Sequence, residues 1–158
     1  MTQAQAKQGR DSEGPVKDAP SPIVYRFHHT VDVRFRDLDS MGHAHHTLPL
    51  VYLEEARAAY WRDVAGREAD RIDYVMAGIT IRFHKRIRWP GRLDVAVRVS
   101  RLGGKSFDMA FEIRDGQGDV VASGTTTQVA YDYAAERTMA LDTETRRRIE
   151  EFEGIGGA

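Results

Sequence analysis

The sequence predicts an α+β domain in which an antiparallel sheet is covered on one face by a long helix. An early segment alternates apolar and polar residues like a strand, and a long amphipathic segment follows it. Four consecutive strand-like segments then follow, joined mainly by short turns. Consecutive strands with short turns pair antiparallel, and such a sheet commonly buries one face against a helix.

The first strand and the long helix come from the first half of the chain. Five apolar residues occupy odd positions, namely Tyr25, Phe27, Val31, Val33 and Phe35, and the charged Asp32, Arg34 and Arg36 take even ones, as in a half-buried strand. Thr47 and Pro49 are typical of a helix start, and Gly66 of a helix end. The apolar stripe between them consists of Leu50, Leu53, Tyr60 and Val64. We therefore expect a helix over residues 47–65, and a short helical turn within 67–76.

Alternation of period two predicts four strands in the second half, at 79–88, 93–100, 106–113 and 120–133. Gly103-Gly104 supplies the turn between the second and third of these strands. Asp115-Gly116, with Gly118, supplies the turn before the fourth. A terminal helix is expected over 142–152, capped by Asp142 or Thr143.

The composition limits the classes of function. At 158 residues the chain is expected to form one domain, residues 23–158, after a disordered polar tail over 1–22. The alternative for the tail is a partner-binding arm. A net charge of −1 gives no reason to expect nucleic acid or an anionic membrane as partner. The lack of cysteine excludes disulfides and a cysteine nucleophile, and fits a cytoplasmic protein.

Residues 34–57 carry the most distinctive chemistry. Asp37 and Asp39 follow the first strand, and three histidines (His43, His45 and His46) precede the long helix. A carboxylate near a helix N-terminus can attack or deprotonate while the helix end polarises a carbonyl group. The segment therefore predicts a catalytic corner.

Two motifs resemble the hotdog-fold acyl-CoA thioesterases, in the 4-hydroxybenzoyl-CoA thioesterase and YbgC-like branch. The first is Asp37-Leu38-Asp39-Ser40-Met41-Gly42-His43-Ala44-His45-His46, followed by Tyr52-Leu53-Glu54-Glu55-Ala56-Arg57. The second, weaker one is Gly103-Gly104-Lys105-Ser106-Phe107. The resemblance implies a sheet wrapped around one long central helix, and a homodimer or tetramer of dimers. It also implies hydrolysis of an acyl-CoA to a carboxylic acid and free CoA, without a metal or other cofactor.

The resemblance also implies roles for individual residues. Asp39 acts as nucleophile or as general base for water, and the backbone N–H of His46 donates to the thioester oxygen. Gly42, His43 and His45 belong to the substrate site, where the two histidines line the acyl pocket or hold Asp39. Lys105 and Ser106 meet the CoA phosphates. The competing interpretations are a turn aspartate, hydrogen-bonded loop histidines and an ordinary hairpin. His45 and His46 stand where the family has an asparagine pair.

Other residues of the sequence allow further interpretations. Asp37 is expected to orient the loop or to pair with Arg57, a structural role in either case. A metal site built from the histidines and aspartates is disfavoured, because the spacing matches no helical ligand pair. The segment around Lys105 lacks the glycine that a nucleotide P-loop requires. The strand face with Arg82, His84, Arg86 and Arg88 is expected to be solvated, the alternative being attraction of the CoA nucleotide.

Two other functions use the same fold. A hotdog hydratase would add water to an enoyl thioester, and a non-catalytic protein would bind acyl thioesters without turnover. A thioesterase releases free thiol from acyl-CoA, whereas neither of these two proteins would.

Overall fold

A computed structural model describes residues 22–68 and 72–156. The chain begins with strand β1 (Phe27–Val33), a 3-10 turn (Phe35–Asp37) and helix α1 (Leu48–Asp63). Four long strands follow: β2 (Tyr74–Phe83), β3 (Gly91–Leu102), β4 (Ser106–Arg114) and β5 (Val120–Asp132). The short strand β6 (Arg137–Thr138) and helix α2 (Thr143–Glu153) complete the described chain.

The strands form one antiparallel sheet in the order β1-β3-β4-β5-β2, and β6 pairs with β5. Strand β2 is therefore an edge strand whose pairing partner is β5, although it precedes β3 in the chain. Its segment from Val75 to Phe83 lies opposite the segment of β5 from Ala122 to Val129. This crossover places the chain after Phe83 at the end of the sheet where β1 also ends.

Helix α1 packs its buried face on the sheet. Leu53 and Tyr60 are almost fully buried, and Trp61 stacks on Phe107 of β4 with ring centroids 5.1 Å apart. The sheet contributes a row of buried aliphatic and aromatic side chains: Val95, Val97, Val99, Phe111 and Ile113. Burial of these apolar side chains supplies most of the favourable free energy that packs the sheet around the helix.

The predicted α+β hotdog architecture is confirmed: an antiparallel sheet is wrapped around one long helix. The ends of α1 and the capping of α2 by Asp142, whose side chain accepts from the Thr145 N–H, also agree with the sequence. The predicted tail over 1–22 lies outside the described residues apart from Pro22.

Two local predictions are wrong. The segment 67–76 holds no helical turn in its described part, and β2 already begins at Tyr74. The strand predicted over 79–88 ends at Phe83, and residues 84–90 form a loop. The alternation of apolar and polar residues continues past the end of the strand as far as Ile87. Ile87 is apolar because it is buried against the loop that carries Asp39, and not because it belongs to the strand.

Within the described residues, neither helix is long and apolar enough to cross a membrane.

Candidate functional site

The loop between β1 and α1 is closed by backbone hydrogen bonds. Leu38 and Ala44 form an isolated antiparallel bridge, and the Asp39 N–H donates to the His43 carbonyl at 3.0 Å. Gly42 turns the chain with a φ of +79°, a conformation that strongly favours glycine. The five residues from Asp39 to His43 are thus held as a tight turn ahead of the helix.

Asp39 has one oxygen engaged and one available. Oδ1 accepts a hydrogen bond from the Met41 N–H at 2.8 Å, an Asx turn. Among the described residues nothing donates to Oδ2. His43 Nδ1 lies 3.7 Å from Asp39 Oδ1, too far for a hydrogen bond but close enough for an ion pair when the imidazole is protonated. The carboxylate is therefore oriented by the backbone while retaining a reactive oxygen.

The start of α1 provides a free amide. Leu48 N–H donates to the His45 carbonyl and Thr47 N–H to His45 Nδ1. The N–H of His46 has no acceptor among residues 22–68 and 72–156. It lies at the positive end of the helix dipole, where it can donate to an oxygen that gains negative charge.

A buried Asp37 fixes this loop to the helix. Its Oδ2 accepts from the Tyr52 hydroxyl at 2.7 Å and from the Arg34 N–H at 2.9 Å, and its carbonyl accepts from the His45 N–H. Burial first, and then the hydrogen bond to Asp37, raise the pKa of the Tyr52 phenol above its ordinary value. Asp37 therefore orients the loop, as one of the two interpretations predicted.

The other interpretation, a pair between Asp37 and Arg57, is wrong. Arg57 is buried farther along α1, with its guanidinium carbon 6.0 Å from the centre of the Tyr74 ring. With the Gln128 amide oxygen turned toward it, Arg57 Nη1 donates to that oxygen at 3.0 Å. An amide and an aromatic face contact the guanidinium in place of the expected carboxylate, and its buried Nε has no hydrogen-bond partner among the described residues.

Asp39 and His46 line a common cavity of about 310 Å³, which we call the Asp39 cavity. Its lining comprises Asp39, Met41, His43, Ala44, His46, Pro49, Phe83, His84, Lys85, Arg86, Ile87 and Val121. The structure thus brings three of the predicted site residues together: Asp39, His43 and His46. Gly42 shapes the turn without lining the cavity. His45 instead hydrogen-bonds the Thr47 hydroxyl through Nδ1, at 2.9 Å.

The wall from Phe83 to Ile87 was missed by the sequence analysis, which placed these residues on a regular strand. The Ile87 carbonyl accepts from the Ala44 N–H at 2.8 Å, which ties this wall to the Asp39 loop. His84 bonds Ser123 on β5 through Nε2 at 2.8 Å. A signal was present in Trp89-Pro90-Gly91, since proline and glycine mark a break before the next strand.

Lys105 and Ser106 do not line the Asp39 cavity of their own chain. They follow the far end of β3, whose first residue, Gly91, pairs with Val33 at the end of β1. At roughly 3.3 Å per residue, β3 separates the two ends of the sheet by about 35 Å. Within one chain these residues are too distant to belong to the same local cluster as Asp39.

Among the residues that the structure describes, no group of three or more histidine, aspartate or glutamate side chains is arranged to hold a metal ion. Through Asp39, His43 and His46, the lining of the Asp39 cavity offers carboxylate, imidazole and amide groups. Its carboxylate and free amide are the pair needed to attack and polarise a carbonyl group.

The chain resembles known proteins in family, sequence and structure. The family model of the thioesterase-like superfamily matches residues 33–149. Long-chain acyl-CoA thioesterase FadM of Escherichia coli is 27% identical over 129 residues, covering 77% of this chain and 96% of FadM.

Solved structures agree with this match. A thioesterase of Thermus thermophilus, complexed with coenzyme A and zinc, superposes with a TM-score of 0.75 at 29% identity, covering 84% of this chain and 97% of its own. The DHNA-CoA thioesterase of Staphylococcus aureus superposes with a TM-score of 0.71 at 18% identity, over 84% of this chain and 95% of its own. At that identity the second likeness shows the fold alone.

Proposed function

The chain belongs to the thioesterase-like superfamily, and from that premise we propose that it hydrolyses acyl-CoA thioesters, with Asp39 as the catalytic carboxylate. The observation that carries the proposal is that one cavity is lined by Asp39, which has a carboxylate oxygen without a partner among the described residues, and by His46, whose N–H likewise has none there. FadM, which acts on long-chain acyl-CoA, supports CoA as the carrier.

The chemistry follows from the positions of the two groups. The thioester oxygen accepts from the His46 N–H, and the dipole of α1 stabilises the negative charge that develops on that oxygen. Asp39 Oδ2 attacks the carbonyl carbon, or removes a proton from a water that does so. The C–S bond then breaks, and CoA leaves as a thiolate. When Asp39 is the nucleophile, the acyl group is left on Asp39 as an anhydride, which water cleaves to the carboxylic acid and the free Asp39 carboxylate. Because an amide of the main chain polarises the carbonyl, histidine can replace asparagine at position 46.

The edge strand β2 supports a homodimer. One edge of this ten-residue strand is unpaired within the described chain, and exposed edges of this kind readily pair with a second chain. Large apolar side chains on β2 are exposed: Met76 by 41%, Ile79 by 38% and Phe83 by 51%. We propose that two copies join their β2 edges antiparallel, which would continue the sheet across both copies and cover these side chains.

Such a dimer would also place Lys105 and Ser106 of one copy at the same end of the sheet as the Asp39 cavity of the other copy. Antiparallel pairing places the Tyr74 end of one β2 beside the Phe83 end of the other. Lys105 and Ser106 lie level with the Tyr74 end, because Ser106 pairs with Val129, which in turn pairs with Val75. They would then share one end of the joined sheet with the Asp39 cavity of the second copy.

We place this enzyme in the cytoplasm, in keeping with a sequence without cysteine.

Thiol release from a panel of aromatic, short-chain and long-chain acyl-CoAs tests the proposed function. We expect a steady release of free CoA from at least one class, and an equal amount of carboxylic acid. Binding of the panel without release of CoA would indicate a non-catalytic binding protein. Addition of water to an enoyl-CoA without C–S cleavage would indicate a hydratase.

A further inference from the structure

A second cavity adjoins the Asp39 cavity, and four of its eleven lining residues are basic. It has a volume of about 360 Å³, and we call it the basic cavity. Its lining comprises Lys85, Arg86, Ile87, Arg88, Pro90, Gly91, Arg92, Leu93, Asp115, Gly116 and Gln117. The wall from Lys85 to Ile87 belongs to both cavities. A ligand that enters the Asp39 cavity can therefore extend past this wall into a positively charged space.

Two of the four basic side chains in this lining are already neutralised. Lys85 Nζ donates to Asp115 and Asp119, each at 2.7 Å, and to Gln117 at 3.2 Å. Arg92 Nε donates to Asp32 at 2.9 Å. These contacts hold the β4–β5 turn and the start of β3 in place, and they leave little capacity for another anion.

Arg86 and Arg88 differ from Lys85 and Arg92. Both side chains are exposed, and neither has an ion-pair or hydrogen-bond partner among the described residues. Asp115, the acidic residue of the lining, is occupied by Lys85 and by the N–H groups of Gln117 and Asp119. Two guanidinium groups beside one cavity without a carboxylate partner form a ready site for phosphate oxygens, which arginine binds in bidentate fashion.

The backbone that carries these arginines is held firmly. Ile87, between them, is 5% exposed, and its carbonyl bonds Ala44 of the Asp39 loop. At Gly91 any side chain would lie within 2.7 Å of the Arg88 carbonyl, so the chain folds tightly back on itself there. An anion bound by Arg86 and Arg88 would thus be held in a set position relative to Asp39.

We propose that Arg86 and Arg88 bind the phosphate groups at the nucleotide end of the acyl-CoA substrate. This inference rests on the proposed function, because it assumes a ligand whose thioester lies beside Asp39 and whose remainder carries several phosphates. It assigns phosphate recognition to the chain that supplies Asp39, whereas the family resemblance assigns it to Lys105 and Ser106.

The test compares one acyl group on two carriers, CoA and pantetheine, the second lacking the nucleotide. In Arg86→Gln/Arg88→Gln, the preference for CoA, measured as the ratio of the two kcat/KM values, should fall by about 10- to 100-fold. This is less than the full value of two charge-assisted hydrogen bonds, because both side chains are exposed to solvent. Arg86→Lys/Arg88→Lys should retain most of the preference. The matched control is Arg62→Gln/Arg147→Gln, which removes two exposed arginines on helices α1 and α2 and should leave the ratio unchanged.

Binding of adenosine 3′,5′-bisphosphate, followed by calorimetry, tests the same inference without turnover. The unmodified protein and the control variant should bind it, and Arg86→Gln/Arg88→Gln should bind at least about tenfold more weakly. The inference would be overturned if Arg86→Gln/Arg88→Gln left both the affinity for the nucleotide and the preference for CoA unchanged. It would also be overturned if these quantities fell only in Lys105→Gln. If the unmodified protein binds the nucleotide in this way but hydrolyses neither thioester, the proposed function fails while the phosphate site stands.

Discussion

The position of Asp39 depends on a second, buried aspartate. Asp37 is 8% exposed, and it links β1, the Asp39 loop and α1 through Arg34, His45 and Tyr52. A buried carboxylate of this kind is stable only while its donors are in place. The two aspartates are two residues apart, and their different surroundings give them different tasks.

Tyr52→Phe removes one donor from Asp37 and keeps the ring. We expect the free energy of unfolding to fall by about 1.5–3 kcal/mol, because a buried carboxylate loses a charge-assisted hydrogen bond. Turnover should fall with it, since the same carboxylate orients the Asp39 loop. Denaturant unfolding and thiol release measure the two effects. Tyr131→Phe is the matched control, because the Tyr131 hydroxyl has no partner among the described residues; an equal loss in both variants would contradict this role.

At the scale of elements, helix α2 is attached to the sheet by a buried glutamate. Glu153, at the last position of α2, accepts from the Tyr60 hydroxyl at 2.7 Å and from the Val99 N–H at 2.9 Å. The register of β3 against β4 shifts just after Val99. Glu153 thus joins α2, α1 and β3 at one point, and the negative carboxylate raises the pKa of Tyr60 further after burial has already raised it.

Glu153→Leu leaves two buried donors without an acceptor. We expect the free energy of unfolding to fall by about 2–6 kcal/mol, since each unsatisfied donor costs roughly 1–3 kcal/mol. Thermal and urea unfolding measure the change. Glu151→Leu, on the exposed side of the same helix, should be close to neutral. A neutral Glu153→Leu would show that packing alone holds α2.

The elements were largely predictable from the sequence, because local signals specify them. Alternation, the glycine turns and Asp142 as a cap act within a few residues of one another. Contacts such as that of Glu153 with Tyr60, 93 positions apart, were not predictable, since no local pattern distinguishes a buried glutamate from a solvated one. The Asp39 loop was recognised from its motif, but its opposite wall was missed. Ile87 continues the alternation of β2 although it is buried against Ala44.

At the scale of the whole molecule, the unpaired β2 edge leads us to expect that the active form is a dimer. Ile79→Lys places a charge on this edge and should convert the dimer into monomers, seen as halved mass in light scattering. Turnover should fall together with the dimer fraction. Val24→Lys makes the same kind of change beside the opposite edge of the sheet, at a side chain that is 62% exposed, and should leave the mass unchanged. Dimers that survive Ile79→Lys but not Val24→Lys would place the interface at β1.

The role of Asp39 is the central claim, and the turnover of Asp39→Asn tests it most directly. Asparagine keeps an oxygen that accepts from the Met41 N–H, so the turn and the fold should persist. It can neither attack the thioester nor accept a proton from water. We predict an unchanged melting temperature and a kcat for acyl-CoA hydrolysis lower by about 10²- to 10⁴-fold. The matched control Asp32→Asn, an exposed carboxylate on β1, should retain full turnover. A folded Asp39→Asn protein with near-normal kcat would contradict the account.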